Sequence, residues 1–330
     1  MKPLKYLFIS SMLFVATSCG NSWLDLEPST SVDTETSIKI LSDVEFTLNG
    51  IYSTMQSSDA YSGRLVYYGD VTGDDMQAVS STKRVANYYR FNFTKDDNPS
   101  SHWSYLYSII QNCNLILMNI DKLAIDEEDK AYRDDLKGEA LAIRGLALFD
   151  LTRIFGYPYL KDNGASLGVP IIEGLSTIDS KPTRNTVAQC YTKIIDDLTQ
   201  SISLLGEKFN KGKINKWGAM VLLSRVYLYK GENANALKMA GDAITGAEKN
   251  KYALWTNEDY PTAWGEDASA SKPGEVLFEI VNLTTDSPGK ESMGYLNSYD
   301  GYDDMCITCS FYQFLKEDPK DIRLKLLSFD

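Results

Sequence analysis

The chain has 330 residues, 43% hydrophobic and 24% charged, enough for a sizeable core in one large domain or two smaller ones. Its net charge of -12 argues against nucleic acid and against an electrostatic hold on anionic lipid. Histidine occurs once, as His102, and HExxH is absent, which removes most enzyme classes that need an imidazole base or a zinc helix.

The first residues are a targeting segment. Lys2 and Lys5 give a positive start, and Tyr6 to Ala16 is an apolar run too short for the roughly 20 helical residues that span a bilayer. Small residues then lead into Cys19, in Val15-Ala-Thr-Ser-Cys19, as in the site read by lipoprotein signal peptidase. Residues 1–18 are therefore expected to be a leader. Lipidated Cys19 would begin the mature chain, with 19–41 as a Ser/Thr-rich tether.

Ser42 or Asp43 is placed to cap a helix running to about Gln56, with Val44, Leu48, Ile51 and Met55 inward. Leu65 to Met76 reads as a strand or turn followed by an acidic loop holding Asp74 and Asp75. The polar stretch onward to Tyr88 is expected to be a surface segment. A helix follows from His102 to Leu117. In it His102 is expected near the cap at the surface, Cys113 in the core, and Asn114 in need of a partner.

The central element runs from Leu136 to Pro158. Leu136, Ala140, Ile143, Ala147, Leu151 and Ile154 recur at three or four residues, a wide apolar helical stripe. Gly145 and its alanine neighbours allow a close helix contact, while Glu139, Arg144, Asp150 and Arg153 are expected off the stripe. Gly156 is expected to take positive φ and end the helix, with Pro158 forbidding continuation. Val187 to Leu198 is another amphipathic helix. Trp217 to Ala247 shows tetratricopeptide spacing at Leu223, Ser224, Tyr227, Gly231, Ala236, Ala240 and Ala243. Beyond Lys251 the chain is loop-rich. Gly274 to Val281 reads as a strand, and Tyr295 to Tyr302 as an aromatic loop without regular structure.

Several of these strings resemble one family. Gly138-Glu-Ala-x-Ala-x-Arg144-Gly-x-x-x-Phe149-Asp-Leu-x-Arg153-x-Phe-Gly156-x-Pro158 is similar to the signature helix of the SusD/RagB lipoproteins. Trp23-Leu-Asp25 with Pro28, Gly50-Ile-Tyr52, the Trp103–Asn114 pattern, Arg184 to Leu198, Gly274 to Val281, and Phe311 to Arg323, the last with Lys320-Asp-Ile inserted before the arginine, resemble other family segments in the same order. The resemblance implies a mostly α, tetratricopeptide-like domain over 42–250 and a loop-rich lobe over 251–330, the latter expected to be incomplete. It implies a lipid-anchored outer-membrane protein, exposed at the cell surface, that binds oligosaccharide and delivers it to a SusC-like TonB-dependent transporter. The alternatives are a RagB-like peptide binder of the same architecture and, third, a glycoside hydrolase.

No catalytic residue, metal or cofactor is assigned. Cys306-Ile-Thr-Cys309 lacks the second pair of a zinc site, and the acidic clusters lack a complete calcium loop. By position in the family, ligand contacts are expected from Asp74, Asp75 and Arg84 in the first loop and from Tyr295, Tyr299 and Tyr302 in the second. Tyrosine offers a sugar ring a flat apolar face with a polar edge.

Overall fold

A computed structural model describes residues 37–94, 100–177, 179–210, 212–264, 274–283 and 285–327. The expected leader, Cys19 and the tether up to residue 36 lie outside the described residues. Among those described, no helix is long and apolar enough to cross a membrane.

Helices dominate. Helix α1 is Leu41–Met55 and α2 is Arg64–Val71. After strand β1 (Met76–Ala78) come the short α3 (Ala86–Tyr89), then α4 (Ser100–Asn119) and α5 (Lys130–Phe155). Next are α6 (Val187–Leu204), α7 (Lys216–Lys230) and α8 (Asn233–Lys249). Shorter pieces follow: α9 (Tyr260–Ala263), α10 (Met293–Asn297), β2 (Met305–Ile307) and α11 (Cys309–Lys316). From α4 to α8 each helix packs on the next, the neighbour-to-neighbour stacking of a helical repeat, and α1 packs on α4 and α5.

Local chemistry sets the ends. Asp43 sits in the first turn of α1, not at its cap, and its carboxylate accepts from the Ile40 N–H at 3.0 Å. Thr186 and Gln189 form a reciprocal capping box on α6, with Thr186 N donating to Gln189 Oε1 at 2.8 Å. Asn215 Oδ1 accepts from the Trp217 and Gly218 amides to start α7, and Gly231 at φ 83° ends it in the left-handed region. Gly156 behaves differently from expectation: its φ is -108°. A side chain there would meet the Thr152 carbonyl at 2.7 Å, so close approach, not positive φ, accounts for the glycine.

Helix α5 is buried all round from Gly138 to Thr152, including three charged residues expected off the stripe. Each has partners. Arg144 donates to Asp197 from Nε at 2.8 Å and from Nη2 at 2.6 Å, and to Asn114 Oδ1 at 2.8 Å. Asn114 in turn donates to the carbonyls of Ile172 and Gly174. This network pins α4, α5, α6 and the 172–174 segment together, and it meets the condition on the mid-helix asparagine. Glu139 accepts from the Tyr52 hydroxyl at 2.8 Å, and Tyr52 accepts from the Ile214 amide at 3.0 Å. Asp150 accepts from Tyr61 at 2.8 Å and from Arg153. An α-helix carrying neighbours on every side has no solvent face, so its polar positions must be satisfied internally.

Three further expectations are corrected. Leu65 to Val71 is helix, not strand or turn: Tyr67 and Val71, four apart, land on one face and enter a core with Val85, Tyr88, Leu296 and Met305. The segment before Tyr88 therefore contributes to a core despite its polarity. Gly274 to Val281 has no sheet partner among the described residues. Residues at helix ends donate to it instead: Asn215, the cap of α7, to the Leu277 carbonyl at 2.6 Å, and Gln56, just past α1, to that of Val281. His102 is fully buried rather than at the surface, with Nδ1 3.1 Å from the Asp59 carbonyl and its ring 5.9 Å from that of Tyr68. Burial lowers its pKa.

Candidate functional site

Strands β1 and β2 pair antiparallel, with Met76 opposite Ile307, Gln77 opposite Cys306 and Ala78 opposite Met305. This short ladder joins two loops more than two hundred residues apart, the ones expected to carry the site. Thr308 extends the pairing, donating from its amide to the Asp75 carbonyl at 2.9 Å and from its hydroxyl to that of Asp74 at 2.8 Å.

At the other end of the ladder lies an aromatic ledge. The Arg84 guanidinium sits 4.1 Å over the Tyr302 ring, and the Tyr295 and Tyr302 rings meet edge to face at 5.1 Å. Arg84 is itself held by Asp304, at 3.0 Å from Nε, and by Glu291 at 3.1 Å. Asp304 is nearly buried, so this ion pair fixes the arginine to the turn. The turn is tightly made. The Tyr302 amide donates to the Tyr295 carbonyl at 2.9 Å, and Lys83 donates to the Tyr302 carbonyl at 2.6 Å. A side chain at Gly301 would lie 2.0 Å from the Tyr295 carbonyl, so only glycine fits. Tyr295 itself belongs to the short helix α10, capped by Ser292, where no regular structure was expected.

The structure thus brings Arg84, Tyr295 and Tyr302 into contact. Tyr299 stands on the same turn and is 71% exposed. Asp74 and Asp75 are exposed too, but just beyond the far end of β1, roughly 10 Å or more of extended chain away from Ala78. They do not share the arginine. Asp75 instead acts on Asp70, whose pKa is raised first by burial and then by this neighbour.

Sequence reasoning missed a larger feature. A cleft of about 920 Å³ lies between α2, α5 and α7 on one side and the 278–294 segment on the other. Tyr61, Tyr68, Leu146, Arg153, Arg225 and Phe278 are among its lining, and none of the six expected residues is. Asp150 and Arg153 lie three apart on α5 and both reach it, but nothing in their spacing distinguishes them from a surface pair. The thiols of Cys306 and Cys309 are free, as are the buried Cys113 and Cys190.

Comparison with known proteins agrees with this architecture. The SusD-like family model described as "Starch-binding associating with outer membrane" matches residues 22–228. "SusD-like protein P2" of Formosa agariphila is 28% identical over 91% of this chain, which covers 57% of that protein. A crystal structure from Bacteroides vulgatus, of a protein named for sugar binding, is 82% identical with a TM-score of 0.87; the match covers 89% of this chain and 66% of that one. A "Laminarin binding SusD-like protein" shares the fold at a TM-score of 0.66 and 19% identity, over 86% of this chain and 66% of that one. The chain therefore spans between about half and two thirds of the length of these relatives. With a family match over more than half of its residues, and with the helical stacking described above, the chain belongs to the SusD-like family.

Proposed function

We propose that this chain binds an oligosaccharide on the ledge formed by Tyr295, Tyr299 and Tyr302 beside Arg84, with Asp74 and Asp75 as outlying hydrogen-bond acceptors. The observation that carries this reading is the exposed Tyr299 on a turn whose neighbouring tyrosine, Tyr302, is held by a stacked arginine. Rigid aromatic rings lose little freedom when a sugar face settles on them. The family description and the laminarin-binding relative support a glycan as the ligand. In the cell we place the protein on the outer membrane, anchored through Cys19, passing its ligand to a SusC-like TonB-dependent transporter.

Affinity gels cast with different glycans provide the test. The parent should be retarded by at least one glycan, and Tyr299→Ala/Tyr302→Ala should run freely while keeping its far-UV spectrum. Retardation of the double variant equal to the parent's places the site elsewhere. Salt-sensitive capture of basic peptides in place of glycans favours the RagB-like reading, and release of reducing ends favours a hydrolase.

A further inference from the structure

The cleft has a charge arrangement distinct from that of the ledge. Asp150, nearly buried on its floor, has a partner on each oxygen: Oδ2 accepts from Tyr61 at 2.8 Å and Oδ1 from Arg153. Arg153 is further held over the rings of Phe149, at 4.9 Å, and Tyr229, at 5.4 Å. Arg225, one helix away on α7, is different. Its guanidinium lies 5.9 Å from the Phe149 centroid, and among the described residues it has neither a hydrogen-bond acceptor nor a carboxylate partner. In a chain of net charge -12, an exposed arginine left without an anion on the wall of this cleft is a donor set awaiting an acceptor.

The other walls restrict what that acceptor is. Asp70 on α2 and Glu279 on the 278–294 segment also line the cleft, so a run of negative charges is repelled. A single carboxylate at the Arg225 end is not. The remaining lining includes Tyr61, Tyr68 and Phe278, and the volume of about 920 Å³ falls within the range usual for small-ligand sites.

We infer that this cleft is a second carbohydrate site, which takes an oligosaccharide carrying one acidic sugar and reads its carboxylate with Arg225. The planar fork of a guanidinium matches a carboxylate bidentately, which a sugar hydroxyl does not reproduce. The neutral sugar rings lie against the aromatic and aliphatic wall. Cleft and ledge share one segment, with Glu291 and Tyr295 turned to the ledge and Ser292, Met293 and Gly294 lining the cleft, yet the inference does not depend on the ledge binding anything.

Calorimetric titration with matched trisaccharides on glucose, galactose and xylose backbones, each neutral or ending in one uronic acid, tests this. The parent should prefer the acidic member of at least one pair by about tenfold, with the preference shrinking as salt is added. Arg225→Gln should erase the preference and leave the melting temperature unchanged, because the side chain is exposed. Arg225→Lys should restore part of it. Tyr299→Ala/Tyr302→Ala should keep it, which separates this site from the ledge. The inference is overturned if the parent shows no acidic preference with any pair, if Arg225→Gln retains it, or if the ledge variant loses it instead.

Discussion

Glu139→Gln is the most informative perturbation of the core. Glu139 is 4% exposed at the middle of α5, accepting from Tyr52, which accepts in turn from Ile214. Burial pushes its pKa up to about 7; Lys213 and the Tyr52 hydroxyl oppose this, while Asp135 and Glu45 add to it. A glutamate in an unfolded chain titrates near 4.3, so the folded state holds a proton that the unfolded state has released. The resulting stability is fully present below about pH 4.3 and is lost as the pH rises through about 7. The gap corresponds to about 4 kcal/mol between the two limits. Glutamine keeps the acceptor for Tyr52 and cannot ionise. Urea unfolding from pH 4 to pH 8 should show the parent losing stability relative to Glu139→Gln, near parity at the acid end and a deficit of up to about 4 kcal/mol at pH 8. Other carboxylates titrate in both proteins and cancel in the difference. Parallel profiles for the two proteins would refute the argument, since they would mean that Glu139 is charged throughout or solvated.

Gly145→Leu should lower stability by about 1–3 kcal/mol in the same unfolding assay, because even a Cβ at this position meets Leu198 Cγ at 3.0 Å. Asp197→Ala should cost about 3–5 kcal/mol by stranding the buried Arg144 charge, and Arg144→Met in the same chain should recover much of it; a double variant no more stable than the single one contradicts that account. Cys19→Ala should move the protein from the detergent phase to the aqueous phase, and unchanged partitioning argues against lipidation.

The helical repeat was legible because its signals are local. Apolar residues at three- and four-residue spacing fix the inward face of α6 and α8, and Thr186, Gln189, Asn215 and Gly231 mark helix ends through bonds to their own neighbours. The loops that meet at the ledge were singled out only through a family resemblance, not by a local signal. What the chain could not disclose locally is how its charges and rings are shared between distant elements. Arg144, Glu139 and Asp150 look like surface charges until α4, α6, Tyr52 and Tyr61 close around α5. His102 looks like a cap until Tyr68 covers it. The extended segment from Gly274 to Val281 looks like a strand, but residues at helix ends rather than another strand donate to it. Arg225 is one more charge on a helix until Asp150 is seen to be paired with Tyr61 and Arg153 instead. Periodicity reports which face of an element leaves water, because that depends on the element alone. Which polar groups meet there, and which one is left without a partner, depends on residues far along the chain, and only the tertiary structure decides it.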